Sequence, residues 1–188
     1  MTKPKPLINL RQTKMLVVED NPQALEILSQ VLVGFGVSEF RKCETLEDAY
    51  LAIDKSMFDV MIVDGELSGE SGFAFTRHVR GRIGANNFAT PIVIVTGAPT
   101  RAKVAEARDG GANFVIAKPI VPRTLLDRIV WIARHSRDFI ESDAYCGPDR
   151  RFHNIPLPFG VEDRRAEAVR LTATPERDLS QDEIDALF

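Results

Sequence analysis

Met15-Leu16-Val17-Val18-Glu19-Asp20-Asn21 is the stretch on which the fold turns. Four apolar residues in a row, with no polar alternation, read as a short strand buried on both faces, and such strands belong to parallel sheets covered by helices on each side. The strand ends abruptly in two carboxylates. In an open parallel sheet, groups at the carboxyl ends of the strands face the crevice where ligands bind.

The pattern repeats outward from this strand. Gln23 to Val33 carries Leu25, Leu28 and Leu32 at helical spacing and is stopped by Gly34 and Gly36. Val37 to Lys42 is a weaker, more polar strand. Thr45 to Asp54 is a helix with Thr45 as N-cap and Asp48 three residues on. Phe58 to Val63 is a strand ending at Asp64, and Gly72 to Arg82 is a helix. Pro91 to Val95 is a strand ending at Thr96. Thr100 to Arg108 is a helix closed by Gly110-Gly111, and Asn113 to Ala117 is a strand ending at Lys118. Pro122 opens a last helix, where its missing N–H costs nothing, and that helix is predicted to run to about Glu141. Five βα units imply an α/β fold: a doubly wound, five-stranded parallel sheet followed by a largely extended C-terminal tail.

The bulk numbers fit one domain with an appendage. The chain has 188 residues and a net charge of −3, which gives no global electrostatic case for DNA or an anionic membrane. Cys43 and Cys146 are too few and too far apart for a disulfide framework. His78, His135 and His153 show no metal-ligand spacing, and Trp131 reads as packing. With neither a secretory signal nor an apolar stretch of spanning length, the expected location is the cytoplasm. The expected division is an arm over 1–13, a domain over 14–141, a linker over 142–178 and a short helix over 179–188.

Four strand ends carry the chemistry: Glu19 and Asp20, Asp64, Thr96, and Lys118. Singly, each has a bland explanation as a turn residue, cap or solvated charge. Together, on one sheet edge, they form a set. Crowded carboxylates repel, and a hard divalent cation such as Mg2+ relieves that repulsion with oxygen ligands. A carboxylate nucleophile can then accept a phosphoryl group. That transfer needs charge stabilisation on the phosphoryl oxygens, which Lys118 and the Thr96 hydroxyl supply.

These residues resemble the receiver domain of two-component response regulators, the CheY-like (flavodoxin-like) fold. The resemblance rests on Leu16 to Asn21, on Asp64 with Gly72 eight residues on, on Val93-Ile94-Val95-Thr96-Gly97, and on Gly111-Ala112 leading to Lys118-Pro119. It covers roughly Lys14 to His135. It implies that Asp64 is the phosphoacceptor and that Glu19, Asp20, Asp64 and the backbone carbonyl of Glu66 hold Mg2+. It further implies that Thr96 and Lys118 contact the phosphoryl group, that the bond before Pro119 is cis, and that the donor is a histidine kinase or phosphotransfer protein. Two departures stand out: Ser68 where the family usually has proline, and Val115, with Phe114 beside it, where the family usually has an aromatic switch residue.

Beyond the domain, residues 142–188 hold six Arg against ten Asp and Glu and four of the eleven prolines. No DNA-binding or catalytic module is visible, so the chain is expected not to be an enzyme and to signal by protein contact. Asp149-Arg150-Arg151 and Asp163-Arg164-Arg165 form a short repeat. Its arginines suit either a cyclic dinucleotide or their neighbouring aspartates. Ser180 and Glu183 form a capping-box signature, with Leu179 and Ile184 in the staple positions. Ile184, Leu187 and Phe188 share one helix face. Leu179 to Phe188 looks like the receiver-binding peptide of the flagellar switch protein FliM, and loosely like the end of the chemotaxis phosphatase CheZ. It also reads as a generic amphipathic helix. Such a peptide would dock on its own receiver, on a second copy to give a homodimer, or on another receiver, which points to motility or chemotaxis. A cyclic-dinucleotide effector and a phosphate sink without output are the competing functions.

Overall fold

The computed structural model describes residues 9–135, 138–142, 145–149 and 177–188. Five strands, β1 (Lys14–Val18), β2 (Glu39–Cys43), β3 (Val60–Asp64), β4 (Ile92–Thr96) and β5 (Phe114–Ala117), form one parallel sheet in the order β2-β1-β3-β4-β5. Helices α1 (Pro22–Gly34), α2 (Leu46–Lys55), α3 (Gly72–Gly81), α4 (Arg101–Asp109) and α5 (Pro122–Arg134) connect and cover it. The chain winds outward from β1 to β2 and then returns to the other side of β1 with β3. The switch point therefore lies between the carboxyl ends of β1 and β3, where Val18 pairs with Val63.

Side chains alternate along each strand, so the sheet builds two cores. Leu16, Val18, Met61, Val63, Ile92, Ile94 and Val115 pack with Phe75, Val79, Val104 and Ala107 from α3 and α4. Met15, Val17, Val60, Ile62, Val93, Val95, Phe114 and Ile116 pack on the opposite face with Leu25, Leu28, Leu125 and Ile129 from α1 and α5. The predicted caps form: the Thr45 hydroxyl accepts from the Asp48 N–H at 3.1 Å. Gly36, at φ +86°, turns the chain after α1 in a region that L side chains avoid. Among the described residues no helix is long and apolar enough to cross a membrane.

The last helix departs from expectation. It ends at Arg134, not near Glu141, and an antiparallel hairpin follows: β6 (Phe139–Ser142) and β7 (Tyr145–Pro148). The apolar spacing of α5 stops where His135-Ser136-Arg137-Asp138 begins, and adjacent Phe139-Ile140 suit a strand. The hairpin covers Arg80, which is buried and donates to the carbonyls of Gly111 (2.9 Å), Phe88 (2.6 Å) and Thr90 (2.9 Å). Phe139 closes over its guanidinium at 5.2 Å and meets the Phe88 ring at a tilt, centroids 4.8 Å apart. Burial pushes Arg80 down to about 10.

The C-terminal residues dock on the parallel-sheet domain itself. Helix α6 (Gln181–Asp185) has the predicted capping box, and its Ile184 is fully buried in the core cluster that contains Val104, Ala107 and Val115. Leu179, Leu187 and Phe188 pack against the same cluster. The Leu179 N–H donates to the Pro99 carbonyl at 2.9 Å, and Asp178 bridges to Thr100.

Candidate functional site

The site is assembled by backbone geometry before any side chain acts. β1 and β3 are neighbours in register, so Glu19, one residue past β1, comes level with Asp64 at the end of β3. Asn21 caps α1, its side chain accepting from the N–H groups of Gln23 and Ala24, and this fixes the turn that carries Glu19 and Asp20. Gly72, at the start of α3, lets that helix approach closely: a Cβ there would lie 1.9 Å from the Asp64 carbonyl oxygen.

Carboxylate oxygens of Glu19, Asp20 and Asp64 lie within 4.8 Å of one another. Glu19 and Asp64 are nearly inaccessible, at 3% and 4% exposure. Lys118 reaches between them, its Nζ 2.8 Å from Glu19 Oε2 and 2.8 Å from Asp64 Oδ2. The Lys118–Pro119 bond is cis. Burial, with help from the Asp64 charge, raises the Glu19 carboxyl above its ordinary value despite the Lys118 hydrogen bond. Burial disfavours the Lys118 charge, yet its hydrogen bonds to Asp64 and Glu19 win and hold its pKa up. Three carboxylates facing one ammonium leave an excess of negative charge on oxygen donors, the donor set that suits Mg2+.

Asp20 is held separately. Its Oδ2 accepts from the Ser68 N–H at 2.7 Å and from the Ser68 hydroxyl at 2.5 Å, and these bonds lower its carboxyl pKa. A proline at position 68 has neither donor. The unusual serine therefore orients a carboxylate of the cluster.

Thr96 is fully buried at the end of β4. Its hydroxyl donates to Glu66 Oε1 at 3.2 Å, the Gly97 N–H donates to Glu66 Oε2 at 3.0 Å, and Lys103 of α4 reaches Glu66 Oε1 at 2.5 Å. The Glu66 N–H in turn donates to Asp64 Oδ1 at 3.1 Å. Burial opposes the Glu66 charge, but Lys103, Gly97 and Thr96 outweigh it and hold the carboxyl below its ordinary value. Sequence reasoning names Glu66 for its backbone carbonyl and, from the family resemblance, as a position whose side chain can affect acyl-phosphate hydrolysis; the bridge to Thr96 and Lys103 was missed, because the Lys103 partner is 37 residues away.

The tail contacts follow the edge of the sheet. Gln181 reads the free edge of β5 twice, donating to the Val115 carbonyl at 3.0 Å and accepting from the Ala117 N–H at 3.1 Å. Asp185 pairs with Arg128 of α5. Phe114 lies in the other core, edge-on to Trp131 and 6.4 Å from Phe188. Arg150, Arg151, Arg164 and Arg165, expected as anion ligands, and His153 lie outside the described residues.

Residues 15–130 match the family model described as the response regulator receiver domain. The chain belongs to the response regulator receiver family. It is 29% identical to the regulatory protein VanR of Enterococcus faecium over 126 residues, 67% of this chain and 52% of VanR. It is 27% identical to the protein PetR of Rhodobacter capsulatus over 165 residues, 85% of this chain and 65% of PetR. The receiver chain thus spans about half to two-thirds of the length of these two relatives. The solved structure of the Vibrio cholerae chemotaxis protein CheY4 superposes with a TM-score of 0.59 at 28% identity, covering 64% of this chain and 98% of CheY4.

Proposed function

We propose that this receiver accepts a phosphoryl group on Asp64, from a histidine kinase or a phosphotransfer protein, and signals through protein contacts. The observation that carries the reading is the convergence of Glu19, Asp20 and Asp64 within 4.8 Å, with Lys118 2.8 Å from two of them. Glu19, Asp20, Asp64 and the Glu66 carbonyl are the residues that would hold Mg2+. When bound, the ion would neutralise charge on the transferred group. Lys118 sits where it can pair with a phosphoryl oxygen on Asp64, and the buried carboxylates keep it protonated and aimed.

The transfer balances simply. An Asp64 Oδ–phosphorus bond forms as the donor's nitrogen–phosphorus bond breaks, and the electron pair returns to the imidazole. On this reading the chain is a substrate of its donor and turns nothing over itself. The tail, seated over α4, β5 and α5, supports output by contact. Its likeness to the flagellar switch peptide, with the similarity to CheY4, supports a place in motility signalling in the cytoplasm.

Labelling with acetyl phosphate and Mg2+ tests the assignment. Wild-type protein should take up one phosphoryl group as acetate leaves, and Asp64→Asn should not. Equal labelling of the two proteins would place the acceptor elsewhere.

A further inference from the structure

The Glu66 carboxylate is not needed to hold a cation in the proposed site, yet it makes three hydrogen bonds there. It takes the Thr96 hydroxyl proton at 3.2 Å and the Gly97 N–H at 3.0 Å, and Lys103 anchors it at 2.5 Å. A hydroxyl has one proton to give. While Glu66 takes the Thr96 proton, no other acceptor can. Thr96 is fully buried, so its hydroxyl has little freedom to find another geometry.

On the phosphoacceptor reading, on which this inference rests, the Thr96 hydroxyl is the donor that a phosphoryl oxygen on Asp64 requires. We propose that the Glu66 carboxylate is a resident anion that occupies the phosphoryl-stabilising donors while Asp64 is unmodified and is expelled from them when Asp64 is phosphorylated. It is a positioning residue, acting through Thr96 and Gly97.

The geometry makes the two anions exclusive. The Glu66 N–H donates to Asp64 itself, so the Glu66 side chain departs from a backbone already pinned to the acceptor. A phosphoryl group brings close to two negative charges and three acceptor oxygens. Two anions cannot both take the single Thr96 hydroxyl proton, and crowding them at one pair of donors adds like-charge repulsion. The exit is open: the Glu66 and Lys103 side chains are 37% and 36% exposed, so their pair can swing into solvent at little cost. Lys103 lies in the first turn of α4, whose cap Thr100 bridges to Asp178 of the tail. Expulsion of Glu66 therefore releases the turn against which the tail is seated.

The test uses the full chain and beryllofluoride with Mg2+, a noncovalent analogue of the phosphoryl group, in calorimetric titration. Glu66→Ala removes the competitor and should bind roughly tenfold tighter than wild type, the scale of a charge-assisted hydrogen bond no longer lost to competition. Glu66→Gln keeps an acceptor without the charge and should gain less. Lys103→Ala loosens the anchor and should shift binding in the same direction. The double variant should gain no more than Glu66→Ala alone, since both act through one interaction. A merely structural role predicts equal or weaker binding. That result in a Glu66→Ala protein with wild-type thermal unfolding would overturn the proposal, as would acetyl phosphate labelling no faster than wild type. If wild-type protein binds no beryllofluoride, the phosphoacceptor reading falls and takes this one with it. If it binds and the Glu66 variants do not differ from it, this one falls alone.

Discussion

Ile184→Ala should detach the C-terminal helix while leaving the receiver folded. Ile184 is fully buried in the cluster that holds Val104, Ala107 and Val115. Truncating a buried isoleucine to alanine costs about 2–5 kcal/mol where the surroundings cannot collapse. Helix α6 has five residues and no capacity to persist alone. Its polar attachments are the two Gln181 bonds, the Leu179 bond, the Arg108 bond to the Leu187 carbonyl and the Asp185–Arg128 pair, and a neutral bond of this kind is worth about 0.5–1.5 kcal/mol net, so the isoleucine is a large single contribution among several. A loss of about 2 kcal/mol lowers the ratio of docked to undocked tail roughly 30-fold.

Amide exchange reads this at one residue. β5 is an edge strand, and the Ala117 N–H has Gln181 Oε1 as its partner at 3.1 Å. The neighbouring Lys118 N–H instead donates to the Thr96 carbonyl at 2.8 Å, inside the sheet. In Ile184→Ala, Ala117 should exchange roughly 30-fold faster, while Lys118 and the β1 amides keep their protection. Unchanged Ala117 exchange would refute the docking argument. A matching acceleration in β1 would show that the substitution acts on the whole fold.

Three further expectations follow from local geometry. Gly72→Ala puts a Cβ 1.9 Å from the Asp64 carbonyl oxygen, a backbone atom that no rotamer can move, so urea unfolding should show a loss of about 1–3 kcal/mol or more, and an unshifted midpoint would refute the close approach. Ser68→Ala removes the hydroxyl that does most to lower the Asp20 carboxyl, so its NMR titration midpoint in metal-free protein should rise toward 3.8; no rise would mean that the hydrogen bond is not formed. Arg177 first, then Ser180, holds the Glu183 carboxyl down to about 2 from an ordinary 4.5. A carboxylate lowered in the folded state stabilises above its unfolded value and loses that contribution as pH falls through the folded one, so the tail's cap should persist at pH 4.5 and fail toward pH 2. A Glu183 titration midpoint near 4.5 in the full chain would contradict this.

The sheet was readable because buried parallel strands are apolar throughout and each ends in a chemically distinct residue. Glu19, Asp20, Asp64 and Lys118 converge because strand ends share an edge, a consequence of topology alone. The hairpin after α5 was not readable: four-residue strands carry almost no periodic signal. Nothing local to Arg80 tells of the Phe139 that covers it. The tail's capping box was plain from Ser180 and Glu183. Its seat was left open, because the Gln181 contacts to β5 span 64 and 66 residues and depend on where the tail returns.

Val115 bears on what could connect the site to the tail. A valine has no ring to swing, and the neighbouring Phe114 is committed to the opposite core by Trp131 at 5.2 Å and by the Arg128 guanidinium at 5.2 Å. Moving Phe114 through the sheet would exchange the sides of every contact it makes, because adjacent strand residues face opposite ways. An aromatic relay along β5 is therefore not available to this sequence. The segment Thr96 to Thr100 remains as a covalent connection. At one end Thr96 and Gly97 donate to Glu66 beside Asp64; at the other, Pro99 and Thr100 hold Leu179 and Asp178. Both ends lie within five residues of backbone, short enough that a displacement of Thr96 has to be absorbed by the tail contacts or by the first turn of α4.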